Sequence, residues 1–166
     1  MVPQKPDEPK WVVDALKSAS SRKVPTVSAL LESIYAAPED LERRLVYADA
    51  LQEAGDPRGE FVALQCRREV NGAISAREKA LLRNHEHAWV GKRDPGIERQ
   101  GLEFRRGFLS VANVKWAHVL EGPEWATIEA LALPPLYGAD DQARVAKFLQ
   151  RKDLRVLRAL WLEVSS

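Results

Sequence analysis

Between residues 28 and 90, apolar side chains return every three or four positions, and the rhythm breaks at only three places. Such spacing predicts four consecutive helices. In "SALLESIYAAP", Leu30, Leu31, Ile34 and Tyr35 share one face, and Pro38 closes the segment. In "EDLERRLVYADALQEAG", Leu41, Leu45, Ala48 and Leu51 mark the buried stripe; Asp40 is placed to cap the start and Gly55 to stop the end. In "RGEFVALQCRRE", Phe61, Leu64 and Cys66 turn inward before Asn71-Gly72 ends the element. In "SAREKALLRNHEHAWVG", Ser75 and Glu78 have capping-box spacing, Leu81, Leu82, His85 and Trp89 follow, and Gly91 is the stop. Ahead of these helices, Pro3, Pro6 and Pro9 predict a mobile tail, and Trp11, Val12, Ala15, Leu16 and Ala19 predict a short amphipathic helix.

After "KRDPG" the rhythm changes. Residues 101–114 alternate loosely through Leu102, Phe104, Phe108, Leu109 and Val111, as extended chain does. Then "IEALAL" (Ile128 to Leu133) is echoed 29 residues later by "LRALWL" (Leu157 to Leu162), both reading apolar-x-x-Leu-x-Leu. A helix-patterned stretch, "DDQARVAKFLQ", lies between them, with Ala143, Ala146, Phe148 and Leu149 apolar. Strand plus helix at this period is the sequence form of a leucine-rich repeat. It predicts adjacent parallel strands with Leu131, Leu133, Leu160 and Leu162 inward and the helix around 143–150 crossing on the convex side. Three residues beyond each final leucine stand Leu136 and Ser165, where asparagine or cysteine would build the usual ladder. The expected fold class is therefore α+β: a helical bundle packed on a short leucine-rich-repeat-like segment. Its divisions are 1–25 (tail and short helix), 26–92 (helical unit) and 101–166 (about two repeats).

Composition narrows the partners. The 166 residues are 45% hydrophobic and 30% charged, as in a globular protein with one shared core. With 25 basic and 24 acidic residues the net charge is +1, which gives no overall pull toward nucleic acid or an anionic membrane. A single cysteine, Cys66, excludes an internal disulfide and a cysteine-built zinc site. No segment has the length and apolarity of a signal peptide or a membrane span, which predicts a cytoplasmic setting.

Residues 28–65 resemble the repeat-companion domain, an uncharacterised bacterial domain that typically precedes leucine-rich repeats. The likeness rests on "IYAAPED", the "RLVYAD-L" helix and above all "GDPRGEF-ALQ". Ala50 stands where the family commonly has tryptophan, and "FRRGFL" (Phe104 to Leu109) is similar to the segment joining that domain to its first repeat. The resemblance implies association with a repeat scaffold; it brings no catalytic residues.

"GDPRGEF" itself admits two readings. It lacks the longer glycine spacing and the Lys-Ser or Lys-Thr of a phosphate loop, although Arg58 and the following helix start could meet an anion. The preferred reading is a structural corner: Gly55 ends one helix, Asp56 and Pro57 start the next, and Gly59 permits close packing. Asp49, awkwardly placed among apolar residues, is expected to accept hydrogen bonds from that corner at 56–60, or to pair with Arg58. His85 and His87 are two apart and cannot chelate one metal from a helix; no metal or cofactor is expected. Arg67-Arg68 and Arg105-Arg106 are flanked by Glu69, Glu60 and Glu103, which favours a solvated ion-pair surface over phosphate contacts.

On the outward strand face, Trp161 sits near Arg158, with Glu129 and Ala132 as counterparts one repeat earlier. Tryptophan with arginine is the pairing enriched at binding hot spots. The resulting expectation is a non-enzymatic protein-interaction module, of inhibitor or immunity type in its specific form, whose strand 157–163 meets a second copy, a partner protein or further chain. Nucleic-acid binding through the arginine pairs is the alternative, and an enzyme centred on Asp49, Arg58 and Glu60 ranks last.

Overall fold

A computed structural model of the chain describes residues 9–11, 14 and 25–162. The proline-rich start and the helix expected over 11–19 lie largely outside them. Four helices follow one another: α1 (Val27–Ala36), α2 (Leu41–Glu53), α3 (Pro57–Asn71) and α4 (Ala76–Val90). Each starts where a short polar side chain takes up an orphan backbone donor. Thr26 accepts from Ala29 N, Asp40 from Arg43 N, Asp56 from Arg58 N and Ser75 from Glu78 N.

The buried stripe of α2 is Arg44, Tyr47, Ala48 and Leu51: Ala48 and Leu51 are buried as expected, but Arg44 and Tyr47 take the places of Leu41 and Leu45, and Leu45 is exposed. The cause is an arginine that belongs inside. Arg44 donates to Pro38 O through Nε (3.1 Å) and Nη2, and to Arg106 O through Nη1 (2.9 Å). Apolar periodicity counts such a residue as surface.

The remainder builds a four-stranded mixed sheet in chain order, so the fold is α+β. β1 (Ile97–Arg105) and β2 (Phe108–Val114) form an antiparallel hairpin with irregular register between Glu98 and Phe104. Its turn is Arg106-Gly107, both at positive φ (52° and 83°), the conformation that matches strand twist in a two-residue loop. Extended chain was expected here; the antiparallel pairing is an addition to the expected parallel array. β3 (Ala130–Leu133) then pairs parallel to β2, and β4 (Ala159–Leu162) parallel to β3. Ala130, Leu131, Ala132 and Leu133 face Ala159, Leu160, Trp161 and Leu162, so the 29-residue echo is the strand register itself. Helix α5 (Ala139–Leu149) crosses between them and buries Val145 and Phe148, while Ala143, Ala146 and Leu149 stay exposed.

Helices and sheet share their core. One cluster runs from Phe61, Leu81 and Trp89 through the strands to Val145 and Phe148. Phe61 stacks on Trp89 at 4.5 Å, and Phe104 meets both edge-on. A second cluster joins Ile34, Tyr47, Ala48, Leu51, Val62 and Cys66 to Phe108 of β2. Among the described residues, no helix is long and apolar enough to cross a membrane.

Beyond α5, Arg151 lies over the Phe148 ring and grips Asp153 with Nε (3.0 Å) and Nη2. Those hydrogen bonds hold the Asp153 carboxyl below its ordinary range, against the opposing pull of partial burial. A lowered folded value means that the pair's stabilisation is complete above the unfolded carboxyl's value, about 4, and fades as pH falls through the folded one. Asp153→Asn is therefore expected to lower the melting temperature slightly at neutral pH and to shrink its decline between pH 5 and pH 2. Acid profiles of identical steepness would contradict the pairing.

Candidate functional site

The 55–61 corner is a packing device. Asp56 caps α3 through its 2.8 Å acceptance from Arg58 N, and Pro57 occupies the first helical turn. A methyl group on Gly59 would lie 2.6 Å from Ala48 O and 2.7 Å from Gln52 N, so only glycine lets α3 lie this close to α2. The guanidinium of Arg58 spreads over the Phe108 ring at 4.9 Å, where Arg44 also lies, at 4.7 Å. Its Nε is buried with no hydrogen-bond partner among the described residues. Tyr47 packs 5.9 Å from the same ring; burial raises its hydroxyl pKa, and the nearby Arg58 charge works against that rise.

Asp49 does not serve this corner. It is exposed on α2, and the capping role expected of it belongs to Asp56, which sits at the helix start itself. Glu60 turns elsewhere again, receiving Arg77 Nε at 2.8 Å and Nη2 at 2.6 Å. Those bonds hold its carboxyl below the ordinary value. Asp49, Arg58 and Glu60 thus share no common centre.

Three of the four paired arginines, Arg68, Arg105 and Arg106, are engaged with glutamates from other elements. Arg68 lies 3.4 Å from Glu78, and Arg105 lies 2.8 Å from Glu129. Arg106 donates to Glu39 O at 3.4 Å. Ion pairs are present as expected, and Glu78 and Glu129, remote in sequence from Arg68 and Arg105, are brought to them by helix and strand geometry. His85 stacks on Trp89 at 5.4 Å, while His87 Nδ1 meets Arg99 at 2.9 Å.

The strand face is where the expected residues converge. Register puts Ala112 beside Leu131, which sets Val114 in line with Leu133, and Leu109 and Ile128 precede them at the same 19-residue offset, all buried. "LSVANV" is therefore a third instance of the repeat pattern, 19 residues ahead of "IEALAL". Sequence reading missed it because alanine and valine replace leucine and the spacing is shorter. Ala132 stands directly beside Trp161, while Glu129 and Arg158 immediately precede β3 and β4. Trp161 is 53% exposed. Arg158 reaches Glu39 Oε1 at 3.3 Å, a bond between two exposed side chains. On the core side, Leu160 and Leu162 are in line with buried Leu131 and Leu133 yet remain 38% and 56% exposed. They point inward as expected, but β4 is the last strand of the sheet and nothing among the described residues closes over them.

Sequence reading also overlooked a cleft of about 610 Å³ where α3 and α4 meet this face, lined by Arg68, Ile74, Glu78, Leu82, Leu102 and Val111 among others. At its floor Gln65 donates to Glu78 Oε1 and to Phe104 O, both at 3.0 Å, and accepts from Gly107 N at 2.7 Å. Glu78 was legible as a capping residue; its side chain turns instead into this network. No family model, curated protein or solved structure matches the chain.

Proposed function

We propose that the chain is a non-enzymatic protein-binding module: a helical unit of repeat-companion type carrying a short leucine-rich-repeat-like array whose strand face takes a partner protein. One observation carries the reading. Trp161 lies half open on the outermost strand, flanked by small Ala132 and near charged Arg158, an apolar anchor bordered by polar groups. A protein that masks its partner, as inhibitors and immunity proteins do, is the specific form this reading takes.

Trp161→Ala is expected to abolish capture of the partner from native cell extract while leaving the helical circular dichroism unchanged. Trp116 is 54% exposed away from the strand pairing, so Trp116→Ala serves as the control and should capture normally. Equal capture by wild type and Trp161→Ala would reject the surface. The alternative, nucleic acid on the arginine pairs, predicts an affinity that collapses with rising salt; the protein reading predicts weak salt dependence.

A further inference from the structure

The two edges of the sheet are unlike. The β1 edge carries a register irregularity and the exposed polar residues Glu98, Arg99 and Gln100, devices that discourage pairing with another strand. β4 has none of these in its final triplet. Leu160, Trp161 and Leu162 are exposed on both faces of a strand that pairs, among the described residues, only with β3. The triplet is also a palindrome: leucine, tryptophan, leucine.

We infer that β4 pairs antiparallel with β4 of a second copy of this chain, about a two-fold axis at Trp161. This rests on the strand face being a protein-binding surface and names its partner. A two-fold axis normal to the sheet keeps each face continuous and requires a register in which Trp161 opposes Trp161 of the second copy. Leu160 then opposes the second copy's Leu162, and Leu162 its Leu160. Every opposed pair in the triplet is apolar, and cross-strand aromatic and aliphatic pairs are those that stabilise sheets. Shifting the axis to Leu160 would set Leu162 against Arg158, so the palindrome selects the register. The leucines left open beside Leu131 and Leu133 become covered, and the assembly closes as a dimer because each copy spends the one unguarded edge among its described strands.

Cysteine scanning tests the register, since directly opposed side chains are near enough to form a disulfide. Cys66 is buried and serves as a silent background. Under diamide, Trp161→Cys is expected to give a covalent dimer by itself. Leu160→Cys and Leu162→Cys are each expected to remain monomeric alone and to cross-link when mixed. Trp161→Lys should keep the helical circular dichroism of the wild type and sediment as a monomer where the wild type sediments as a dimer. Cross-linking of Leu160→Cys with itself would overturn the register, and a wild-type monomer across the concentration range would overturn self-pairing. If Trp161-dependent capture of another protein persisted in that case, the binding surface would stand and only its occupant would change.

Discussion

Gly59→Ala is expected to cost at least about 3 kcal/mol, because the new methyl meets backbone atoms that cannot rotate away. In this structure those atoms are Ala48 O and Gln52 N at 2.6 and 2.7 Å, with Gln52 Cγ at 2.9 Å. Relief requires α3 to move off α2, which would loosen the cluster of Tyr47, Ala48, Leu51, Val62 and Phe108 held between them. For a domain of this size the melting temperature should fall by roughly 6–12 °C. Gly55→Ala is the informative contrast. Gly55 has φ 73° and open space around it, so the substitution carries only the left-handed backbone cost, about 1–2 kcal/mol. Equal losses at the two glycines, measured by denaturant unfolding, would show that the helix crossing is not sterically tight.

Gln65→Leu is expected to be comparably damaging for the opposite reason: it fits and leaves polar groups stranded. The amide joins α3 to α4 through Glu78 and to the hairpin through Phe104 O of β1 and Gly107 N of its turn. Leucine preserves the volume but orphans two buried backbone groups, each worth about 1–3 kcal/mol. Gln65→Glu separates packing from polarity. It keeps an acceptor for Gly107 N but sets a second carboxylate against Glu78, which raises the pKa of the pair in the folded state. Stability of this variant should therefore recover as pH falls through that raised value and decline as pH rises. A variant insensitive to pH between 4 and 8, by thermal melting, would place the new carboxylate outside the network.

Residues whose role follows from local spacing were readable in advance. Thr26, a helix cap in the structure, was not singled out, but Asp40, Gly55, Asp56 and Ser75 were, because caps and stops act within four residues of themselves. The β3–β4 pairing was readable because an identical pattern recurs at a fixed distance. What escaped were interactions between elements remote in sequence. Arg44 is buried because carbonyls of Pro38 and Arg106 await it, the latter 62 residues away. Gln65 joins residues 13 to 42 positions distant. Asp49 shows the reverse error: an apolar neighbourhood in sequence placed it inside, whereas the rotation of α2 set by Arg44 leaves it exposed. Of the surface, the pairing of Ala132 with Trp161 was legible from the repeat spacing, and the cleft beside it was not, since no local pattern encodes the gap between a helix pair and a sheet.

The chain-order sheet gives this protein a direction of growth. The hairpin is fixed to the helices by Gln65 and Arg44, β2 offers an edge to β3, and β3 offers an identical edge to β4. The helical unit thus anchors the hairpin, and each later strand pairs with its predecessor. Because β3 and β4 are related by a constant 29 residues, duplicating residues 134–162 would advance the open edge by one strand, about 4.8 Å, without disturbing anything nearer the helices. Length in such a molecule can drift over evolutionary time at one end only, while the other end holds the register for all that follows.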